Sequence, residues 1–303
     1  MMDKPKLHAP YAADSKPFTI GLSQLDEAQW LEEDANLIAY LDEKLSLYKR
    51  LPQQVLVEDE GTREAQAEVL ELVSAHVLKH YPAVYSRNGN TMHIAGQRSV
   101  QLDDTALSPL ARAGLLVQED LVLMRKAADG WRLAAASLCF PSAWNLLEKF
   151  RRPLHEIHAP VPGFGAGTRN DGLITRMFDN LDPARLVLRW NWSVHSDMAL
   201  HHPHSNSGPE ARFGAGDLRG RVVIRLERQT LRKLPHSGDI LFTIRIHLYP
   251  LEMVAAHPQG AVLAAAFAQQ LRALSVVEAD YKGVSAERER LVARLDELAR
   301  GAK

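Results

Sequence analysis

Cysteine is almost absent: Cys139 is the single thiol in 303 residues. That excludes an internal disulfide framework and any cysteine-rich zinc or iron–sulfur site. Net charge is also nearly absent, with 36 basic residues against 37 acidic ones. Without a basic block, nothing predicts a nucleic-acid surface. No apolar run approaches the roughly 18 residues that span a bilayer, and the opening MMDKPKLHAPYAADSKPF lacks the apolar core of a secretory signal. The chain therefore reads as cytoplasmic. It contains no GxSxG, phosphate-loop or HExxH pattern. The glycines of PGFGAGTRNDG do not form a dinucleotide-binding turn between a strand and a helix.

Apolar content of 46% and charged content of 24% are those of a globular protein able to bury a sizeable core. Thirteen histidines are the one oddity. Spacing near 3.6 predicts a helix from an Asp26 cap through Trp30, Leu31, Asp34, Leu37, Ile38, Leu41 and Leu45 to Leu51-Pro52. A second is expected from Thr62 to about His80. The period then changes. Strands are predicted over 115–126 and 131–138, followed by a helix holding Ala143, Leu146, Leu147 and Phe150. After the glycine-rich loop come a short helix at 173–180 and three strands, 186–194, 221–230 and 240–248. Helices over 262–274 and 285–300 end the chain. Two strands, a helical crossover and three strands imply an α+β fold with an antiparallel sheet. The expected division is a helical segment at 1–85, a core at 86–252 and C-terminal helices at 253–303, integrated into one domain.

Three places could carry chemistry. In HEIHAPVPG, His155 and His158 lie three apart at the end of a helical pattern, stopped by two prolines and a glycine. Two imidazoles are too few for zinc, whereas one suffices as an axial haem ligand; from the residues alone the favoured reading is that both cap the helix C-terminus. The cluster HSDMALHHPH (His195, His201, His202, His204) sits beside Asn206, Ser207, Gly208 and Pro209, the composition of an exposed loop. In VVIRLERQT, alternation puts Arg225, Glu227 and Gln229 on one face; in ILFTIRIHL, Thr243, Arg245 and His247 share a face. If register allows, one sheet face carries carboxylate, guanidinium, hydroxyl and imidazole together, either as a solvated face or as a pocket wall. Cys139 reads as an inert buried thiol.

The segments WRLAAASLCFPSAWNLLEKFRRPLHEIHAPVPG, LRWNWSV, IRLERQTLRKLPHSGDILFTIRIHLYPL and ADYKG, in that order, resemble the haem-dependent oxidative N-demethylase family. The resemblance runs from about Gly21 to Leu298. It implies a PAS-like fold holding haem b, and oxidative demethylation of small secondary amines such as dimethylamine with release of formaldehyde. Electrons would come from NADPH through a separate flavin and iron–sulfur reductase. It also implies His158 as the proximal iron ligand, with His155 as the fallback. Glu227, Arg225, Thr243 and Arg245 become distal-pocket candidates, and Asn191 and Trp192 candidate pocket linings. Phe150-Arg151 stands where the family segment has a glycine. Two other readings remain at this stage: a non-catalytic haem or gas sensor, and a histidine-ligated zinc hydrolase using the HHPH loop.

Overall fold

The computed structural model describes residues 7–12, 18–205 and 211–301, so Asn206, Ser207, Gly208 and Pro209 of the histidine-rich loop lie outside the described residues. The first half is built from β1 (Ser23–Leu25), α1 (Leu37–Arg50), α2 (Pro52–Val55), β2 (Leu56–Glu58) and α3 (Arg63–His80). It continues through β3 (Tyr85–Asn88), β4 (Thr91–Ile94), β5 (Arg98–Gln101), α4 (Pro109–Gly114), β6 (Asp120–Ala127) and β7 (Gly130–Ser137). The crossover holds α5 (Leu146–Lys149), α6 (Leu154–Ile157) and α7 (Arg169–Asp179). Then come β8 (Leu186–His195), β9 (Val223–Lys233), β10 (Ile240–Pro250), α8 (Leu251–Ala255), α9 (Gly260–Ala273), α10 (Val276–Tyr281) and α11 (Arg288–Ala299). The fold is α+β, with antiparallel pairing in the order β1-β8-β9-β10-β6-β7-β2. Among the described residues, no helix is long and apolar enough to cross a membrane.

Both faces of the large sheet are covered, and alternation assigns each residue to one of them. On one face, Leu121, Leu123 and Leu241 pack with Trp30, Leu31, Val69 and Val73 from the N-terminal helical layer. Further along that face, Trp192, Ile224 and Leu226 meet Leu263, Phe267, Leu271 and Leu295 of the C-terminal helices. On the other face Val122, Met124, Leu231 and Ile244 pack beneath the crossover, with Leu154, Phe164, Ile174 and Phe178 above them. This second face holds the site described below.

Several expected boundaries move for identifiable reasons. Asp26 caps a single 3₁₀ turn, Glu27–Gln29, by accepting from the Ala28 N–H at 2.8 Å. The helix itself starts only at Leu37, because the Asp34 side chain accepts from the Asn36 N–H and closes a local turn first. Ser108 and Pro109 open α4, so β6 begins at Asp120, not Leu115. The crossover helix expected from Ala143 shrinks to Leu146–Lys149, since Ala143 has φ +63° and cannot continue a right-handed helix. Conversely, α7 starts at Arg169, earlier than expected, where the Thr168 hydroxyl accepts from the Asp171 N–H.

Arg151, in the Phe150-Arg151 pair after α5, also has φ +63°. Its guanidinium pairs with Asp59 at 2.8 Å on the surface. A left-handed non-glycine residue costs about 1–2 kcal/mol, partly offset by glycine's larger unfolded-state entropy. Arg151→Gly should therefore unfold about 0.5–1 kcal/mol less readily than Arg151→Ala, both having lost the Asp59 pair. Chemical denaturation of the two variants checks this; equal midpoints would contradict it.

Candidate functional site

Between the sheet and the crossover lies a cavity with about 230 Å³ of solvent-accessible space. Its floor is one sheet face: Val122 and Met124 from β6, Leu133 from β7, Arg189 and Asn191 from β8, Glu227, Gln229 and Leu231 from β9, Phe242 and Ile244 from β10. The roof is Trp144, Leu154, Ile157, His158, Val161, Phe164, Ile174, Met177 and Phe178. Phe18, Ile20, Leu22, Tyr281 and Lys282 close the side. The lining is mostly apolar, with a few polar groups convergent on it, as ligand cavities usually are.

His158 is the C-cap of α6, a single turn opened by Pro153. Its N–H donates to Leu154 O at 2.9 Å, and its own carbonyl accepts from Val161 N–H at 2.8 Å. The backbone is thus pinned on both sides of the ring, and the APVPG exit carries the chain away. Burial, with the neighbouring charges of Lys149 and Arg189, lowers the imidazole to about 4. The ring is therefore neutral at ordinary pH. Among the described residues no group hydrogen-bonds to it; its ring neighbour is Phe164, 6.3 Å away centre to centre. A neutral imidazole with a nitrogen to spare, facing an apolar cavity, is the donor an iron needs. His155, half-buried on the same turn, is not part of the lining.

Across the cavity a chain of hydrogen bonds runs over the sheet. Arg189 donates to Gln229 Oε1 at 2.8 Å, and Gln229 donates to Glu227 Oε2 at 2.6 Å. Asn191, directly opposite Glu227 in the β8–β9 register, donates to its Oε1 at 3.3 Å. Lys282 follows, donating to Asn191 Oδ1 at 3.4 Å and to Trp192 O at 2.7 Å. Burial drives the Lys282 ammonium down to about 7 and Lys149 to about 8, against the attraction of Glu227 in both cases. One carboxylate thus stands among weakened cations.

The register divides the polar residues singled out in the sequence. β9 pairs with β8 and β10 without a bulge, so Glu227 keeps its expected face. In an antiparallel pair, directly opposed residues share a face. Glu227 opposes Ile246, whereas Thr243 opposes Thr230 and Arg245 opposes Arg228. Thr243 and Arg245 therefore point away from the cavity, a correction to the single polar face expected above. Thr243 shares a 2.6 Å hydrogen bond with Thr230, and Arg245 pairs with Asp34 at 2.7 Å. Trp192, one residue out of phase with Asn191, packs on Phe267 on that same far face. Arg225 does share Glu227's face, but its guanidinium is spent on the loops: Ser142 Oγ, and the carbonyls of Phe140, Pro141, Ala199 and Leu200.

The histidine-rich loop brings no ligand set together among the described residues. His201 Nδ1 lies 2.8 Å from Cys139 O, His202 Nε2 lies 3.1 Å from Asp197, and His195 bonds Ser193. Cys139 is buried, with its thiol pushed well up by burial and by Asp120. Sequence reasoning did not assign Arg189, Lys149, Tyr281 or Lys282. The last two fall inside the ADYKG segment, but nothing in the pattern says that it reaches β8.

With this geometry in view, comparison with known families matches residues 21–292 to the family described as haem-dependent oxidative N-demethylase, alpha subunit-like. The chain belongs to that family. Its haem dependence can be tested on the donors of this N-demethylase-family cavity, and they fit. The neutral His158 ring has no hydrogen-bond partner among the described residues, the walls are mostly apolar, and Arg189 and Lys149 would offer positive charge to carboxylate side groups.

Proposed function

We propose that this cavity carries out haem-dependent oxidative N-demethylation of a small secondary amine, dimethylamine or a close analogue. The observation that carries the reading is a neutral imidazole, His158, without a hydrogen-bond partner among the described residues, opposite a hydrogen-bonded carboxylate, Glu227, in one mostly apolar space. His158 is the iron ligand, and His155 is not needed for it. When bound, haem b would supply the oxygen activation that hydroxylates a substrate methyl group. Overall, the amine, O2, two electrons and two protons give water and the N-hydroxymethyl amine. That product then breaks its C–N bond to release formaldehyde and the shortened amine.

The protein's own residues bind and orient. Glu227 pairs with the protonated amine, while Asn191 and Gln229 hold its two oxygens in place. Lys282, near 7, is divided between charged and neutral forms at neutral pH, which leaves the carboxylate charge available to a cationic ligand. Phe242, Ile244 and Leu231 leave room for methyl groups and exclude water. Electrons would reach the site from NADPH through a separate flavin and iron–sulfur reductase. The family's description as an alpha subunit supports that division of labour. A PAS-like core over 86–252 is supported by the succession β6, β7, helical crossover, β8, β9, β10, in which the last strand pairs with the first. Strands β1 and β2 of the first 85 residues extend the same sheet.

The haem-loaded protein titrated with dimethylamine should give a saturable change in its visible spectrum. Glu227→Gln removes the charge but keeps the shape, and should weaken that binding roughly 30-fold or more, the scale of a charge-assisted pair worth about 2 kcal/mol. Unchanged affinity would remove Glu227 from the site.

A further inference from the structure

On the opposite face of the sheet, away from the cavity, three side chains from distant parts of the chain meet at one point. His247 is on β10, Glu32 is in the turn before α1, and His8 belongs to the N-terminal segment. His247 Nε2 lies 3.1 Å from Glu32 Oε2, and His8 Nε2 lies 3.3 Å from that same oxygen. The three donor atoms all lie within 4.8 Å of one another, and this is the one such cluster of histidine, cysteine and acidic groups among the described residues.

We propose that His8, Glu32 and His247 form a binding site for a divalent transition ion of the zinc type. Zinc binds imidazole nitrogen and carboxylate oxygen at about 2.0–2.2 Å, so neighbouring donors of a tetrahedral site stand roughly 3.3 Å apart. The two nitrogen–oxygen distances already have that length. Only the two imidazoles need to close toward each other. Three protein ligands leave a further position for water or a small ligand.

The surroundings hold each donor in place. Arg228 Nε sits 3.3 Å from Glu32 Oε1, which leaves Oε2 to face the imidazoles. The His247 ring is stacked on Tyr249, and His8 packs on Trp190 with its backbone N–H donating to Tyr249 Oη. Such outer contacts are what fix ligand orientation in metal sites. Burial brings His247 down to about 4, so its imidazole is neutral and able to ligate. Although burial works against it, hydrogen bonds from His247 and His8 and the charge of Arg228 keep the Glu32 carboxyl ionised far below its usual range. The groups facing the site also include Arg245, which is already paired with Asp34. A bound ion would tie residues 7–12, with Tyr11 buried against Phe267, to the sheet.

The test uses the full chain, stripped with chelator, incubated with zinc chloride and desalted. About one zinc per chain is expected by elemental analysis, together with a rise in Tm on zinc addition. His8→Ala, Glu32→Gln and His247→Ala should each lose both effects, while His201→Ala should keep both. His8→Ala changes a residue near the chain's start and keeps the test valid if a more buried variant misfolds. Wild type that retains no zinc, or His8→Ala and Glu32→Gln variants that retain it fully, would overturn the proposal. In the first case the three groups are an ordinary hydrogen-bonded triad.

Discussion

His158→Ala is expected to cost the protein its haem. Outer-shell partners of a metal ligand are each worth about 10–100-fold in affinity, and removing the ligand itself should cost at least as much. The apolar walls and the Arg189 and Lys149 charges remain, so the folded protein should persist while haem washes out on gel filtration. The visible band of a histidine-ligated haem should vanish or shift, and added imidazole should restore part of it. His155→Ala should leave both haem content and spectrum unchanged, because that ring lies outside the cavity lining. Acid should act in the same direction. His158 binds its proton at about 4 in the fold against 6.5 when free. The unfolded chain therefore takes up this proton first, and stability falls as pH drops from about 6.5 toward 4. His247, likewise near 4, and His195, near 2, add to the same slope. Haem release centred near pH 6.5 would contradict the neutral state of His158.

Arg225→Met should be among the most destabilising substitutions in the chain. The guanidinium is fully buried and donates to five oxygens, four of them backbone carbonyls from the loops at 140–141 and 199–200. Burial lowers it to about 10, still charged at neutral pH, with Glu227 working against that shift. Methionine fills much of the volume but strands those acceptors, at about 1–3 kcal/mol for each one left without a partner. Relaxation and water entry reduce the sum, and roughly 3–5 kcal/mol of lost stability is expected. Arg225→Lys keeps the charge but not the fork and should fall between. Because Ser142 both accepts from Arg225 and lines the cavity, haem affinity should decline with stability. A methionine variant that unfolds at the wild-type temperature would show that the loops hold themselves.

Much of the site could be read from residue order because its parts are local. The His158 corner depends on one turn opened by Pro153 and ended by APVPG, and α3 runs from Arg63 to His80, where a helix from Thr62 to about His80 was expected. The three long strands followed from their alternation. What failed was pairing. Alternation says which residues of one strand share a face, but not how two strands are set against each other. A shift of one residue sends Thr243 and Arg245 to the far side. The small sheet at Tyr85–Gln101 was missed although Gly89-Asn90 is a two-residue hairpin loop with glycine first, and Gly89, Ala95 and Gly96 all have positive φ. Its strands are only four residues long and largely polar. Lys282 and Tyr281 reach the cavity from α10 and its exit, a consequence of how the C-terminal helices pack. Nor did anything in the sequence join His8 to His247.

The most direct measurement of the central claim is formaldehyde trapped from the purified, haem-loaded protein supplied with dimethylamine, oxygen and a chemical reductant, beside His158→Ala and Glu227→Gln. Formaldehyde and methylamine in equal amounts are expected from wild type, none from His158→Ala, and a strongly reduced yield from Glu227→Gln at low amine concentration. Haem-loaded wild type that binds oxygen and amine yet forms no formaldehyde would contradict it.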